Sequence, residues 1–264
     1  MNKIQIAIID SGVNYNHPAF GESRPVLICD EKQADPNTFY GHGTAIYNII
    51  RKIENIAEIT NFKLHNVENG ICEDELIDLL NRIKDKYRFD IINLSLGVSV
   101  CEKLDELYSR CLDLTNAGTI IVSAFDNMGS ISFPAAFTNV IGVTTGQSCI
   151  RVNDFEYIQD TVVNLGAKGD IQRLAWNNPD YIMLGGNSFA CAHVTVQIAK
   201  FIAEGINGFD SIMNAFKNIA KKQYFNTHES IPGSGNNLPF SIEKAVLFPF
   251  NKEMHSLIRY SSDL

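Results

Sequence analysis

Residues 4–10 read Ile-Gln-Ile-Ala-Ile-Ile-Asp, a nearly unbroken apolar run that ends in a carboxylate. Such a run is typical of a strand that is buried on both faces, as in a parallel sheet covered by crossover helices. Strands are also predicted at 58–64, 90–96, 119–124 and 140–143, and helices at 43–53, 73–86, 104–116, 188–203 and 209–220. This alternation predicts an α/β fold, with three layers and a mostly parallel β-sheet flanked by helices.

Composition excludes several functional classes. The chain has 264 residues, of which 45% are hydrophobic, so it can form one large domain with a substantial core. A net charge of -8 and the lack of a dense basic run argue against a nucleic-acid partner. No segment approaches the roughly 18 consecutive apolar residues of a membrane span, so no membrane contact is expected. We predict a main domain at 1–239 and a C-terminal extension at 240–264 that packs on it.

The N-terminus and the cysteines point to a reducing compartment. The first apolar run is too short for a signal peptide, lacks a small-residue cleavage site and ends at Asp10. Six cysteines are present, with neither a CxxC pair nor the spacing of a metal site. We therefore expect reduced thiols in the cytoplasm, with no metal and no cofactor.

Three polar residues stand at the ends of predicted elements. Asp10 ends the first strand, His42 lies in a loop that leads into a helix, and Ser188 follows two glycines at the start of a long apolar helix. Each has an ordinary structural explanation on its own, and Ser188 in particular could be a simple helix cap. Together they are the components of a nucleophilic triad, and a helix N-terminus favours the negative charge that acyl transfer develops.

The residues around these three positions resemble the subtilisin family of serine peptidases, which has the same order of Asp, His and Ser along the chain. Five ordered segments carry this resemblance: AIIDSG at 7–12, GHGT at 41–44, NLSLG at 93–97, SAFDNMG at 123–129 and GNSFACAHV at 186–194. The resemblance covers roughly residues 4–205 and implies a subtilisin-like fold with a catalytic triad of Asp10, His42 and Ser188.

The resemblance also implies the remaining parts of the site. Asn127 would be the side-chain donor of the oxyanion hole, beside the backbone N–H of Ser188. The substrate-binding residues would be Ser95, Leu96, Gly97, Ala124, Phe125, Asp126 and Ser132. Asp126 stands where the family has a glycine. It could attract a basic or polar side chain at P1, the substrate residue before the cleaved bond, or it could cap a local turn.

Other departures from the family pattern narrow the expected role. Asn187 replaces the usual threonine and Ala192 the usual proline, while Cys191 is expected to be a small core residue rather than a reactive thiol. The segment 51–58 lacks the longer loop that holds calcium in the family, so no calcium is expected there. Asp10 lies so near the start that no inhibitory prodomain is expected. The chain thus resembles intracellular members that lack a prodomain, such as lantibiotic leader peptidases.

We therefore predict a cytoplasmic serine endopeptidase that works through an acyl-enzyme and removes a leader from a specific peptide precursor. Its partner would be an extended peptide or precursor-peptide substrate. Two alternatives stay open: a general intracellular degradative subtilase, and a catalytically inactive subtilase that acts as a peptide-binding module.

Overall fold

One large sheet organises the molecule. The computed structural model describes residues 3–21, 25–28, 41–64, 71–159 and 161–224. Within them, nine strands form a sheet in the order β11-β7-β8-β6-β5-β4-β1-β3-β2. These strands are β1 (Ile4–Asp10), β2 (Val26–Ile28), β3 (Ala57–Lys63), β4 (Ile91–Leu94), β5 (Ile120–Ala124), β6 (Ile141–Thr145), β7 (Glu156–Ile158), β8 (Leu165–Ala167) and β11 (Lys222–Tyr224).

The other described elements include five α-helices, two short 3-10 helices (Pro18–Phe20 and Arg51–Ile53) and a hairpin. The hairpin pairs β9 (Gln172–Ala175) with β10 (Tyr181–Leu184) in antiparallel register. The helices are α1 (Gly41–Ile50), α2 (Glu73–Lys86), α3 (Leu104–Asn116), α4 (Asn187–Ala203) and α5 (Phe209–Ile219).

Parallel pairing brings the ends of the central strands together. All described pairings in the large sheet are parallel except that of β7 with β8. The carboxyl ends of β1, β4, β5 and β6 therefore lie along one edge, where ligands of such sheets bind. Asp10, Leu94, Ala124 and Thr145 are the last residues of these four strands.

Alternation along β1 shows why the sheet lies between two helical layers. Ile6 and Ile8 are fully buried in a cluster with residues of α1, α4 and α5. Ala7 and Ile9 are equally buried in a second cluster with residues of α2 and α3. Because successive side chains of a strand point to opposite faces, the apolar run of β1 supplies both cores. The predicted three-layer α/β architecture is confirmed.

The predicted elements agree best with the structure where their periodic pattern is long. The boundaries of α2 and α3 match the prediction, and Gly118 ends α3 with a left-handed φ of 97°. The first helix begins at Gly41, so His42 lies in its first turn rather than in a preceding loop. The sequence did not reveal β2 or β7–β11, because three or four residues carry too little periodicity.

Part of the predicted organisation lies outside the described residues. The extension at 240–264 falls there, so the domain boundary at 239 stays a prediction. Among the helices that the structure does describe, none is long and apolar enough to cross a membrane. The described residues also contain no group of three or more His, Cys, Asp or Glu side chains that could hold a metal ion.

Candidate active site

A buried carboxylate and an imidazole form the centre of the site. Asp10 is only 2% exposed, and both of its carboxylate oxygens lie within hydrogen-bond distance of His42 Nδ1, at 2.9 and 3.0 Å. The backbone N–H of Ser11 donates to Asp10 Oδ1 at 2.7 Å, and the Ser11 hydroxyl donates to the same oxygen at 3.1 Å. These partners compensate the burial of the carboxylate and hold it in one orientation.

Two glycines allow the histidine helix to approach β1. A Cβ atom on Gly43 would lie 2.2 Å from the carbonyl oxygen of Gly12 and 3.1 Å from Asp10 Oδ1. A Cβ atom on Gly41 would overlap the indole ring of Trp176 at 2.4 Å. Since neither position has room for a side chain, the Gly-His-Gly sequence is what lets α1 begin directly against the end of β1.

Asp10 changes the proton affinity of His42. Burial by itself lowers the pKa of His42, but the negative charge of Asp10 and its hydrogen bond raise it, and the net effect is a pKa above the usual 6.5. The hydrogen bond at Nδ1 also leaves Nε2 as the ring nitrogen that can accept a proton. The pair is therefore suited to act as a general base.

Ser188 lies in the first turn of α4, close to this pair. The ring of the next residue, Phe189, is 5.7 Å from the His42 ring, centroid to centroid. The Ser188 hydroxyl donates to the carbonyl oxygen of Ser95 at 2.9 Å, while the Ser95 hydroxyl donates to the Ser188 carbonyl oxygen at 3.1 Å. The structure thus places the residue after Ser188 beside the imidazole and joins Ser188 itself to the segment after β4.

Asn127 is held in one amide orientation. Its side-chain oxygen accepts the backbone N–H of Asn187 at 2.9 Å. Because an N–H needs an acceptor, this contact identifies Oδ1 and directs the Asn127 NH₂ group elsewhere. Asn127 is exposed, and its Oδ1 contact places its side chain at the start of α4.

The first three candidate substrate residues follow β4 directly. Ser95 and Leu96 are buried, and the Leu96 carbonyl oxygen accepts the hydroxyl of Ser123 at 3.3 Å. A Cβ atom on Gly97 would lie 3.0 Å from the Cβ atom of Ser132. The segment after β4 therefore lies against the segment that contains Ser132, and the substrate-binding role of these residues stays a prediction.

The other candidate pocket residues surround the end of β5. Ala124 and Phe125 are buried, and Phe125 occupies the space left by a glycine, since a Cβ atom on Gly142 would lie 2.5 Å from its ring. Ser132 Oγ accepts the backbone N–H of Asp126 at 3.1 Å. The carboxylate oxygen Oδ1 of Asp126 accepts the backbone N–H of Met128 at 2.7 Å, which is the contact expected of a turn cap.

Sequence reasoning missed Trp176, and it noted Asn187 only as a departure from the family pattern. Trp176, in the turn of the β9–β10 hairpin, packs against the start of the histidine helix at Gly41. The Asn187 side chain is 8% exposed and bonds to residues at the ends of both β5 and β6. Only the departure of Asn187 from the family's threonine could have drawn attention to it. Cys191 is fully buried, and this burial raises the pKa of its thiol to about 12, as suits a core residue.

Comparison with known proteins agrees with this geometry. A sequence model of the family described as "Peptidase_S8: Subtilase family" matches residues 1–215. The "Thermophilic serine proteinase" of Bacillus sp. (strain AK1) is 28% identical in an alignment of 235 residues that covers 83% of this chain and 56% of that protein. The chain thus spans little more than half the length of this relative.

Solved structures share the fold. A cold-adapted subtilisin-like serine proteinase superposes with a TM-score of 0.66 at 21% identity, covering 81% of each chain. The prenylagaramide maturation protease PagA superposes with a TM-score of 0.60 at 21% identity, again covering 81% of each chain. The same architecture therefore carries a peptidase site in both of these proteins.

Proposed function

Because the chain belongs to the subtilase family, we propose that it is a serine endopeptidase with Asp10, His42 and Ser188 as its catalytic triad. The observation that carries this proposal is the buried carboxylate whose two oxygens lie 2.9 and 3.0 Å from His42 Nδ1, beside a helix that begins at Asn187, one residue before Ser188. A buried Asp–His pair beside a serine at a helix N-terminus is what acyl transfer by a serine requires.

Each group has a distinct step in the proposed reaction. Asp10 orients the imidazole and stabilises its charged form, and His42 Nε2 takes the proton of Ser188 Oγ as this oxygen attacks the peptide carbonyl carbon. The oxyanion accepts hydrogen bonds from the Asn127 NH₂ group and from the Ser188 N–H. His42 then gives its proton to the leaving amine, and water hydrolyses the acyl-enzyme.

The free enzyme needs one local change to reach this state. The Ser188 hydroxyl donates to the Ser95 carbonyl oxygen, so it must turn away from this oxygen to donate to His42. We propose that an extended substrate pairs with the segment Ser95–Gly97 and approaches this same carbonyl region. Catalytic hydrogen bonds often tighten only in the substrate complex, in agreement with such a rotation.

Asp126 is the proposed determinant of a basic or polar side chain at P1. Its Oδ1 atom accepts the N–H of Met128, and a cationic P1 side chain would pair with the acceptor sites that this contact leaves on the carboxylate. A cleavage profile over a peptide library tests this, with Asp126→Asn as the matched variant. Preferred cleavage after Arg or Lys, lost in the variant, supports the proposal, whereas preferred cleavage after Phe or Leu contradicts it.

Labelling with a fluorophosphonate probe tests the enzymatic function itself. The folded wild type should incorporate one probe at Ser188, and labelling should disappear in Ser188→Ala and after heat denaturation. A folded wild type that stays unlabelled would overturn the proposed activity. If Ser188→Ala then bound peptides that the wild type could not cleave, the peptide-binding module would be the better description.

For the physiological role, we propose removal of a leader from one peptide precursor. Support comes from the resemblance to intracellular leader peptidases and from the shared fold with a protein named a maturation protease. Incubation with a precursor encoded beside this chain's gene should give a single cut at the leader junction and leave casein intact. Extensive casein degradation without that cut would favour the degradative alternative.

A cytoplasmic location completes this proposal. Among the described residues, Cys72, Cys101, Cys111, Cys149 and Cys191 are all free thiols, as a reducing compartment favours. Fractionation of the producing cells should recover the protein with cytoplasmic markers. Recovery mainly from the culture medium would contradict the assignment.

A further inference from the structure

Asn187 lies between three parts of the site. It is the first residue of α4, and its side chain is buried immediately before the proposed nucleophile Ser188. A buried amide must satisfy an oxygen and an NH₂ group, so its partners show which segments it connects. In the position where the family has threonine, this chain has a side chain that can donate two hydrogen bonds.

The oxygen and the NH₂ group of the Asn187 amide bind two different segments of the site. Its NH₂ group donates to the carbonyl oxygens of Phe125 and Asp126, at 3.1 and 3.0 Å. Its oxygen accepts the backbone N–H and the hydroxyl of Thr145, at 2.8 and 2.9 Å. One side chain thus bridges the loop after β5 to the carboxyl end of β6, across separations of 42 to 62 residues in sequence.

The backbone of Asn187 also orients the side chain of Asn127, the next residue in the loop after β5. The Asn187 N–H donates to Asn127 Oδ1 at 2.9 Å, which turns the Asn127 NH₂ group away from Asn187. The side chain holds the backbone at positions 125 and 126, while the main chain sets the amide orientation at 127. Both contacts act on the Asn127 side chain, which is one of the two groups that would stabilise the oxyanion.

We propose that Asn187 is a positioning residue for the oxyanion hole, which it aligns by holding the loop 125–127 against the start of α4. This inference rests on the proposed peptidase function. A threonine has one hydroxyl donor and a methyl group, so it cannot bridge both carbonyl oxygens and Thr145. Removal of the amide would leave those backbone groups buried without these partners, and the loop would move to find others.

A double-mutant cycle between Asn187→Ala and Asn127→Ala tests the coupling on a peptide substrate. Loss of an oxyanion donor costs roughly 10²–10³ in kcat. We expect Asn187→Ala to lower kcat about 10- to 100-fold, with KM changed less than threefold, because an imprecise donor weakens mainly the transition state. In the Asn127→Ala background, Asn187→Ala should lower kcat less than threefold, because the group that it positions is absent.

Two further variants separate positioning from simple stability. Asn61→Ala removes another buried amide that donates to a backbone carbonyl, that of Val26 at 2.9 Å, and should lower the melting temperature without lowering kcat. If Asn187→Ala does not fold, Asn187→Thr replaces it in the double-mutant cycle with Asn127→Ala. The pH at half-maximal kcat/KM should stay that of the wild type in each Asn187 variant, since the Asp10–His42 pair is untouched.

The outcomes are distinct. Independent, multiplying effects of the two substitutions, or an Asn187 variant that retains wild-type kcat, would overturn the positioning role while the peptidase function stands. Absence of fluorophosphonate labelling in the wild type would instead remove the proposed function on which this inference rests. A loss of kcat in Asn187→Ala that vanishes in the Asn127→Ala background supports it.

Discussion

Replacing Asp10 by asparagine should move the proton of neutral His42 from Nδ1 to Nε2. In the wild type, Ser11 N–H donates to Asp10 Oδ1, so this atom must stay an oxygen in Asp10→Asn. The new NH₂ group then takes the place of Oδ2, which lies 3.0 Å from His42 Nδ1. Two N–H groups cannot face each other there, and Oδ1 already accepts both the N–H and the hydroxyl of Ser11, so we expect the imidazole to accept at Nδ1 and carry its proton on Nε2.

That tautomer removes the acceptor which Ser188 needs. An equivalent exchange in a Ser-His-Asp triad lowers kcat by about 10⁴, and we expect a loss of about 10³- to 10⁴-fold here. The variant also loses the charge that raises the pKa of His42, while burial, which lowers this pKa, remains. The acidic limb of kcat/KM should therefore lie above pH 6.5 in the wild type and move to lower pH in Asp10→Asn.

The same pair contributes to stability in a defined pH range. Because its folded pKa is raised, His42 stabilises the fold fully below the unfolded pKa of about 6.5, and this contribution disappears as the pH rises through the folded pKa. In Asp10→Asn this dependence should be lost. Denaturant titrations of the wild type and the variant across this range measure the difference.

Steady-state kinetics over a pH series, with folding checked by circular dichroism, provide the assay. Asp90→Asn is a matched control, since Asp90 Oδ2 accepts the backbone N–H of Gln5 at 2.8 Å near the other end of β1. This control should keep wild-type kcat. A folded Asp10→Asn variant within tenfold of wild-type kcat, or with an unchanged pH profile, would refute the reasoning.

The remaining predictions concern packing and buried groups. Gly43→Ala should lower kcat at least tenfold and destabilise the fold by about 1–3 kcal/mol, because its methyl would lie 2.2 Å from the Gly12 carbonyl oxygen; unchanged kinetics would contradict the close contact. Burial lowers the pKa of His193 to about 4, so stability should decrease as pH falls from 6.5 toward 4. His193→Gln should reduce this dependence of the free energy of unfolding on pH, as measured by urea titrations. An unchanged dependence would assign the effect to another group. Cys191 should resist iodoacetamide in the native protein, whereas exposed Cys72 reacts; rapid native labelling of Cys191 would show that its helix opens.

Local patterns were sufficient for much of the fold. The apolar run from Ile4 to Asp10 indicated a strand buried on both faces, and the structure pairs it with β3 and β4 in parallel register. The helical periods of α2 and α3 predicted their bounds, because each extends over more than three turns. Short strands such as β7 and β8 exist through pairing with neighbours, which no local pattern encodes.

The amino-acid sequence by itself determined which chemical groups the site contains, through the order of Asp10, His42 and Ser188. It also determined the alternation of strands and helices, which brings the strand ends to one edge of the sheet. Only the tertiary structure decided how they are held, through the Gly43 contact with Gly12 and the bridge made by Asn187. The physical reason is distance along the chain. Residue types and periodicity are local properties, whereas the partners of a buried amide lie wherever packing leaves donors and acceptors to be satisfied.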